Sequence, residues 1–293
     1  MMSVFHVSPA GSDVAAGSAE APFRTINRAV AAAHPGDTVR IHEGTHREWV
    51  KPVRTGRSDD RRIVFKGAPG EARPVITGAE RMTEWEHVSG TTWRAVLDNA
   101  LFGDWNPFAI EVEGDWTDYA PRAHLGEVYL NGRSFYEVGS VDRVSGPPLP
   151  ATVEDRWTGT VTPGHEREGT GYLWYAQVGD AETTVWANFQ GADPRVELVE
   201  VNVRRSVFYP QVHHVNYITV RGLELCQAAT PWAPPTADQV GLVGPNWAKG
   251  WVIEDCDIHD AKCSAVSLGK ENSSGHNWAA ERLDKPEIGR AHV

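Results

Sequence analysis

Two stretches of the sequence repeat one strand–turn–strand pattern. Residues 217–225 (YITVRGLEL) align with residues 250–258 (GWVIEDCDI) at a constant 33-residue offset. Repeats of a few dozen residues without intervening helices are typical of parallel β-solenoids, in which equivalent positions of successive coils stack into one core. A β-sandwich with coincidental spacing is the alternative. The apolar positions that coincide are Ile218, Val220, Leu223 and Leu225 with Trp251, Ile253, Cys256 and Ile258.

Earlier residues show a similar strand pattern. Residues 37–41 and 62–65 alternate between apolar and polar side chains, and the apolar positions Val39 and Ile63 define a 24-residue interval. A third apolar segment at residues 75–76 ends in a Thr-Gly pair. These segments predict further coils of the same solenoid.

One amphipathic helix is predicted before these strands. Apolar residues recur at helical spacing from Ile26 to Ala33, and Thr25 or a neighbouring residue can cap the first turn. The Pro-Gly pair at residues 35–36 then ends the helix, because proline cannot continue it.

The composition and the turn signals of the sequence change between residues 81 and 203. Seven of the twelve Trp residues lie here, and the Asn131-Gly132 pair favours a type I′ hairpin turn. We therefore predict an inserted antiparallel β-sandwich, with the solenoid resuming near Ser206. The many Trp also suit a protein that handles sugars, since an indole offers a flat apolar face, although core packing would explain most of them.

Charge and residue usage exclude several classes of function. Lys and Arg total 28 against 39 Asp and Glu, and no basic block concentrates positive charge, so nucleic acid and anionic membranes are poor partners. No apolar run approaches the roughly 20 residues of a membrane span, and the start lacks signal-peptide regions, so a cytoplasmic location is expected. The three Cys lack a CxxC pair and the His residues lack ligand spacing, so we expect no disulfide scaffold, metal site or cofactor.

Several motifs spread along the chain match one known family. They are REWVKP (47–52), EGDW (113–116), HLGEVYLNGRSFYEV (124–138), WANFQGADP (186–194) and the long segment 229–271. In these motifs the chain resembles glycoside hydrolase family 120, the β-xylosidases, over nearly its whole length to residue 286. The opening residues resemble the amino-terminal cap and first coil of many parallel β-helix proteins.

The resemblance implies an all-β fold, a right-handed parallel β-helix with a short N-terminal capping helix and an inserted antiparallel β-sandwich. We expect the cap and first coils over residues 1–80, the sandwich over 81–205 and the resumed coils over 206–287. The last six residues, IGRAHV (288–293), resemble a translated sequencing adapter and are expected to be a non-native tail.

The same resemblance implies a retaining exo-β-xylosidase that hydrolyses short xylo-oligosaccharides by a two-carboxylate double displacement. The family's catalytic Asp and Glu lie on later coils, so no catalytic residue is expected among residues 1–293. We expect the chain to be a truncated, inactive fragment, with a genuine short protein as the alternative. A homo-oligomer is left open.

Two candidate substrate-binding residues follow from the resemblance within the insert. Trp116 lies where the family's inserted sandwich contributes an aromatic residue to the sugar pocket, and Asp115 beside it can hydrogen-bond a sugar hydroxyl. A core Trp and a turn-capping Asp are the structural alternatives.

Four further candidates lie on a loop too rich in proline to be a central strand. We expect Trp232, Asp238, Asn246 and Trp247 to line a cleft, with packing over the solenoid flank as the alternative. His259, Asp260, Lys262 and Glu271 also cluster in sequence, but we interpret them as solvated turn residues and assign them no catalytic role.

Two other functions remain open. One is a different β-helix enzyme acting on pectin or an arabinose-containing glycan, because this scaffold hosts many chemistries. The other is a non-catalytic carbohydrate-binding β-helix protein. A generic binding helix has no reason to carry the EGDW and HLGEVYLNGRSFYEV motifs, so the insert discriminates against it.

Overall fold

The protein is mostly β-structure with short helices. The computed structural model describes residues 2–112, 123–154, 158–163, 169–233 and 240–268. The described residues form the helices α1 (Ile26–Ala32) and α2 (Val141–Val144), and 3-10 helices at Asp59–Arg61, Asn99–Leu101 and Pro107–Ala109. They form the strands β1 (Val4–Val7), β2 (Thr38–Ile41), β3 (Thr45–Arg47), β4 (Ile63–Gly67), β5 (Val75–Thr77), β6 (Ala79–Arg81), β7 (Glu86–Ser89), β8 (Thr92–Asp98), β9 (Val128–Leu130), β10 (Arg133–Ser134), β11 (Tyr136–Glu137), β12 (Thr152–Glu154), β13 (Val161–Pro163), β14 (Leu173–Val178), β15 (Glu182–Asn188), β16 (Val199–Asn202), β17 (Ile218–Arg221), β18 (Glu224–Ala228), β19 (Val252–Glu254) and β20 (Asp257–Ala261).

The chain divides into two units. The first combines Met1–Ala79 with Arg204–Val293, and the second is Glu80–Val203. Within the described ranges, no helix has the length and apolar character needed to cross a membrane.

Two parallel sheets make up the first unit. One has the strand order β1-β2-β4-β17-β19, and the other has the order β3-β5-β18-β20. From β2 onward, each strand of the first sheet is therefore followed in the chain of this unit by a strand of the second sheet. A third line of parallel contact runs through isolated bridges, from Val50 to Phe208, then to Val243 and to Val266.

The strand register confirms the repeat found in the sequence. Val220 is paired with Ile253, and Leu225 with Ile258, which is the 33-residue offset of the alignment. The corners repeat at the same offset, because Tyr217 has a left-handed backbone and so does Gly250. A Cβ on Gly250 would lie 2.5 Å from the Tyr217 ring, so only glycine fits there.

The predicted interval between the earlier strands was wrong. Val39 is paired with Phe65 rather than with Ile63, so the offset between the two strands is two residues larger than the predicted 24 residues. Side chains alternate across a strand with a period of two, so such an even shift leaves each side chain on its predicted face. The apolar pattern therefore determined the buried face correctly but not the register.

The buried row of the first sheet follows from this register. Val39, Phe65, Val220 and Ile253 occupy equivalent positions on neighbouring strands, and each is at most 5% exposed. They belong to one hydrophobic core. Stacking of equivalent apolar side chains is thus the source of this unit's stability.

Helix α1 is held at its amino terminus by two side chains. The Thr25 hydroxyl accepts a hydrogen bond from the Arg28 amide at 3.1 Å, which confirms the predicted cap. The Glu48 carboxylate, from the REWVKP motif, accepts hydrogen bonds from the backbone amides of Ile26 at 2.7 Å and Asn27 at 2.9 Å. Burial raises the pKa of the Glu48 carboxyl, and these N–H donors oppose that rise.

The second unit consists mainly of antiparallel strands. One sheet has the order β11-β14-β15-β8-β7, another β10-β9-β16-β6, and β12 pairs with β13. Side chains of the first two sheets share one hydrophobic core. The Asn131-Gly132 hairpin is confirmed, because both residues have a positive φ and join β9 to β10. The one-turn helix α2 was not predicted.

We predict that Glu48→Ala lowers the free energy of unfolding by about 1–3 kcal/mol, because the helix amides lose a buried charged acceptor. Urea unfolding followed by circular dichroism measures this change. Glu48→Gln keeps one acceptor oxygen and is expected to lose less. Asp59→Ala, at a side chain that is 80% exposed, is the control and is expected to stay within about 0.5 kcal/mol of the parent. Equal losses in the Glu48→Ala and Asp59→Ala proteins would contradict the proposed cap.

Candidate functional site

The second unit contains an open groove of about 530 Å³. Its walls come from the Pro107–Ala109 turn, β11 and β14, and from the residues around His124. The groove is lined by Phe108, Ala109, Glu111, His124, Glu137, Val138, Gly139, Tyr175, Ala176, Gln177 and Val178.

A short antiparallel stem forms one side of this groove. The Val112 amide donates to the Ala123 carbonyl at 2.7 Å, and the Leu125 amide donates to the Ile110 carbonyl at 2.8 Å. Glu111 and His124 form an isolated antiparallel bridge in the same stem. The predicted sugar-binding residues Asp115 and Trp116 belong to residues 113–122, which lie outside the described residues.

Glu137 holds His124 in place. Its Oε2 accepts a hydrogen bond from the His124 backbone amide at 2.7 Å, and its Oε1 lies 2.6 Å from His124 Nδ1. The Glu137 side chain is 13% exposed, so water competes weakly for these contacts. The carboxylate thereby connects β11 to the stem from which residues 113–122 depart.

This pair was not predicted from the sequence, although both residues lie in the motif HLGEVYLNGRSFYEV (124–138). The motif folds back on itself at the Asn131-Gly132 turn. A hairpin brings the two ends of a segment together, so the predicted turn was the signal that could have paired His124 with Glu137.

The side chains of the groove suit a polar ligand with one apolar face. Glu137 and His124 offer hydrogen-bonding groups, and Gln177 is exposed on β14. Tyr175 stacks on Trp186 with ring centroids 6.0 Å apart, which keeps its aromatic face rigid. An aromatic face beside polar groups is the arrangement that binds a sugar ring.

The predicted loop residues of the first unit are placed in different surroundings. Trp232 is half-buried after β18, and Asp238 lies outside the described residues. Asn246 and Trp247 are buried, with 6% and 5% of their surfaces exposed. The Asn246 side-chain amide donates to the Pro210 carbonyl at 2.8 Å. Sugar contacts by these four residues stay a prediction.

Asn246 and Trp247 also form a strained turn. Their φ angles are 47° and 64°, in the left-handed region that costs a residue with a side chain roughly 1–2 kcal/mol. Two consecutive residues persist in this conformation only when the surrounding packing imposes it. The turn is therefore a rigid feature of the fold, and the sequence pattern did not reveal it.

Comparison with known proteins identifies the groove-bearing unit. Residues 82–201 match the family described as glycoside hydrolase 120, insertion domain. A solved structure, the complex structure of XylC with xylose, is 53% identical to this chain, covers 97% of it and has a TM-score of 0.88. The resemblance to glycoside hydrolase family 120 is confirmed. The groove and its His124–Glu137 pair thus lie in the part of the chain that matches the family 120 insertion domain.

The other similarities are weaker or local. Residues 9–52 match a family described as a protein of unknown function, DUF1565. Uncharacterized protein YwoF of Bacillus subtilis (strain 168) is 41% identical over 73 residues, which are 25% of this chain and 15% of YwoF. A structure described as a glycoside hydrolase, 13% identical with a TM-score of 0.55, covers 90% of this chain and 63% of its own and shows likeness of fold alone. The chain spans 44% of the XylC chain.

We predict that Glu137→Ala abolishes the protection of the His124 backbone amide in hydrogen exchange, because that amide loses its acceptor. Glu137→Gln retains an acceptor oxygen and is expected to keep most of the protection. Glu182→Ala, at an exposed residue of β15, is the matched control. Unchanged protection in Glu137→Ala would show that the stem does not depend on this carboxylate.

Proposed function

We propose that this chain is the amino-terminal part of a retaining exo-β-xylosidase that acts on short xylo-oligosaccharides. The observation that carries the proposal is the 53% identity to XylC, solved with xylose, across 97% of this chain. The match of residues 82–201 to the family 120 insertion domain supports the same assignment.

The proposed architecture is a right-handed parallel β-helix interrupted by a β-sandwich. The parallel pairing of successive strands in both sheets of the first unit supports the helix. Residues 1–80 and 206–287 are the proposed coils, and residues 81–205 are the proposed sandwich. Residues 288–293 are the proposed non-native tail.

The proposed reaction needs two carboxyl groups about 5–5.5 Å apart. One attacks the anomeric carbon while the other protonates the departing glycosidic oxygen, which leaves a covalent xylosyl–enzyme intermediate. The second group then removes a proton from water, and the water oxygen displaces the first carboxylate with net retention. We assign this pair to no residue of this chain.

The chain's own contribution in this proposal is substrate binding. Trp116 would stack on the apolar face of the xylose ring, and Asp115 would accept a hydrogen bond from a sugar hydroxyl. The Glu137 contact with His124 supports this role, since it anchors the stem from which the Asp115–Trp116 segment departs. Trp232, Asp238, Asn246 and Trp247 are proposed as further cleft residues.

We predict that the complete protein containing this chain releases xylose from xylobiose with β-configuration in the first-formed product. Proton NMR of the anomeric signal during the first turnovers measures the configuration. Residues 1–293 alone, at equal concentration, are the control and are expected to release no xylose. An α-configured first product would contradict the retaining mechanism, and xylose release by the control would place the catalytic pair within this chain.

We predict that Trp116→Ala in the complete enzyme lowers kcat/KM for xylobiose by about 10-fold or more, equivalent to ~1.4 kcal/mol of lost transition-state stabilisation. Trp116→Phe keeps an aromatic face and is expected to retain more of the activity. Thermal unfolding of both variants is measured in parallel. A destabilised Trp116→Ala protein with unchanged kinetics would instead identify Trp116 as a core residue.

A further inference from the structure

One face of the second parallel sheet gathers three different metal-ligating side chains. Cys226 on β18 is paired in register with His259 on β20. Glu224 precedes Cys226 by two positions and therefore lies on the same face of β18. Leu225 and Ile258, which alternate with them, contact the hydrophobic core. The three polar side chains thus point away from the core.

The ligand atoms of these side chains lie close together. One oxygen of Glu224, the Cys226 sulfur and one ring nitrogen of His259 are all within 4.8 Å of one another. His259 Nε2 is 3.3 Å from Glu224 Oε1. The Cys226 sulfur also has a weak contact of 3.9 Å with Gln227 Oε1.

A fourth residue orients the imidazole. Asp260 Oδ2 lies 2.8 Å from His259 Nδ1, so the carboxylate accepts the Nδ1 proton. The backbone of Asp260 is left-handed, with φ of 52°. In the neutral ring Nε2 then carries a lone pair, and this lone pair faces the Glu224 oxygen. Two electron-rich atoms in such close contact share a cation, which is either the proton of an imidazolium or a metal ion.

We propose that Glu224, Cys226 and His259 bind one Zn²⁺ ion and that Asp260 is a positioning residue for His259. Zinc accepts this combination of thiolate, imidazole and carboxylate ligands, whereas Ca²⁺ and Mg²⁺ select oxygen. Bonds of about 2.0–2.1 Å in a tetrahedral site separate a nitrogen and an oxygen ligand by roughly 3.4 Å. The observed 3.3 Å between His259 Nε2 and Glu224 Oε1 matches this edge.

The remaining tetrahedral position is taken by water in this assignment. His259 and Glu224 are partly exposed, with 46% and 33% of their side chains accessible, while Cys226 is only 4% exposed. The more exposed His259 and Glu224 would therefore be the ligands on the solvent side of the ion, and Cys226 the ligand on the buried side. Binding converts the Cys226 thiol to a thiolate and releases its proton to the buffer.

The ion would join two strands that are distant in the sequence and adjacent in the sheet. Glu224 and Cys226 are on β18, and His259 is on the neighbouring strand β20. A ligand that binds only the folded state raises its stability by mass action. Zinc is thus assigned a structural role in the stacking of successive strands.

Cobalt and zinc titrations of the full 293-residue chain test this site. We expect one Co²⁺ per chain, with visible d–d absorption and a thiolate-to-cobalt charge-transfer band that Zn²⁺ abolishes. Cys226→Ser is expected to remove the charge-transfer band. Cys256→Ser and Cys263→Ser, the matched controls in the same unit, are expected to keep it. Mg²⁺ and Ca²⁺ are expected to leave the cobalt spectrum unchanged.

The positioning role of Asp260 has its own readout. Asp260→Asn is expected to weaken Zn²⁺ binding by about 10- to 100-fold while the charge-transfer band of the cobalt form persists. Far-UV circular dichroism of each variant establishes that it is folded. Absence of stoichiometric Zn²⁺ binding in the folded parent chain would overturn the proposal and leave a protonated His259 as the cation between the carboxylates. Binding that survives both Cys226→Ser and His259→Gln would overturn it as well.

Discussion

The register of the parallel strands is the constraint on which the first unit depends. Each strand donates and accepts backbone hydrogen bonds with the strand of the preceding coil, and that alignment places Val39, Phe65, Val220 and Ile253 in one buried row. A shift of a single residue would turn every apolar side chain of a strand toward solvent. At the corner that precedes β19, Gly250 lies so close to the Tyr217 ring that a Cβ would clash with it.

The same strand register also determines which outward-facing side chains are neighbours. A register that stacks Leu225 on Ile258 inside the core must also place Cys226 beside His259 on the opposite face. Chemical groups far apart in sequence thus come within ligand distance as a consequence of core packing. This is why the proposed zinc site and the core are two results of one backbone arrangement.

In the insert, a hairpin and side-chain contacts position the residues that line the groove. Its groove depends on a hairpin, a short stem and the half-buried carboxylate of Glu137, which contacts His124 twice. Here a side-chain contact adds to the backbone hydrogen bonds of the stem and connects it to β11. The match of this unit to the family 120 insertion domain gives the arrangement its proposed place in xylose binding.

The sequence by itself determined the elements whose signals are local. The repeat that relates Val220 to Ile253, the Thr25 cap and the Asn131-Gly132 turn depend on spacing and backbone preference, and all three are present. The pairing of Val39 with Phe65 could not be obtained this way, because an apolar alternation with a period of two is satisfied equally by Ile63. Only the tertiary structure decided the left-handed Asn246–Trp247 turn, the His124–Glu137 contact and the convergence of Glu224, Cys226 and His259. The Asn246–Trp247 turn and the Glu224, Cys226 and His259 cluster depend on surrounding packing or on pairing between distant strands, which no short motif encodes. His124 and Glu137 lie in one motif, but its Asn-Gly turn predicts only that the two ends approach each other and not which side chains meet.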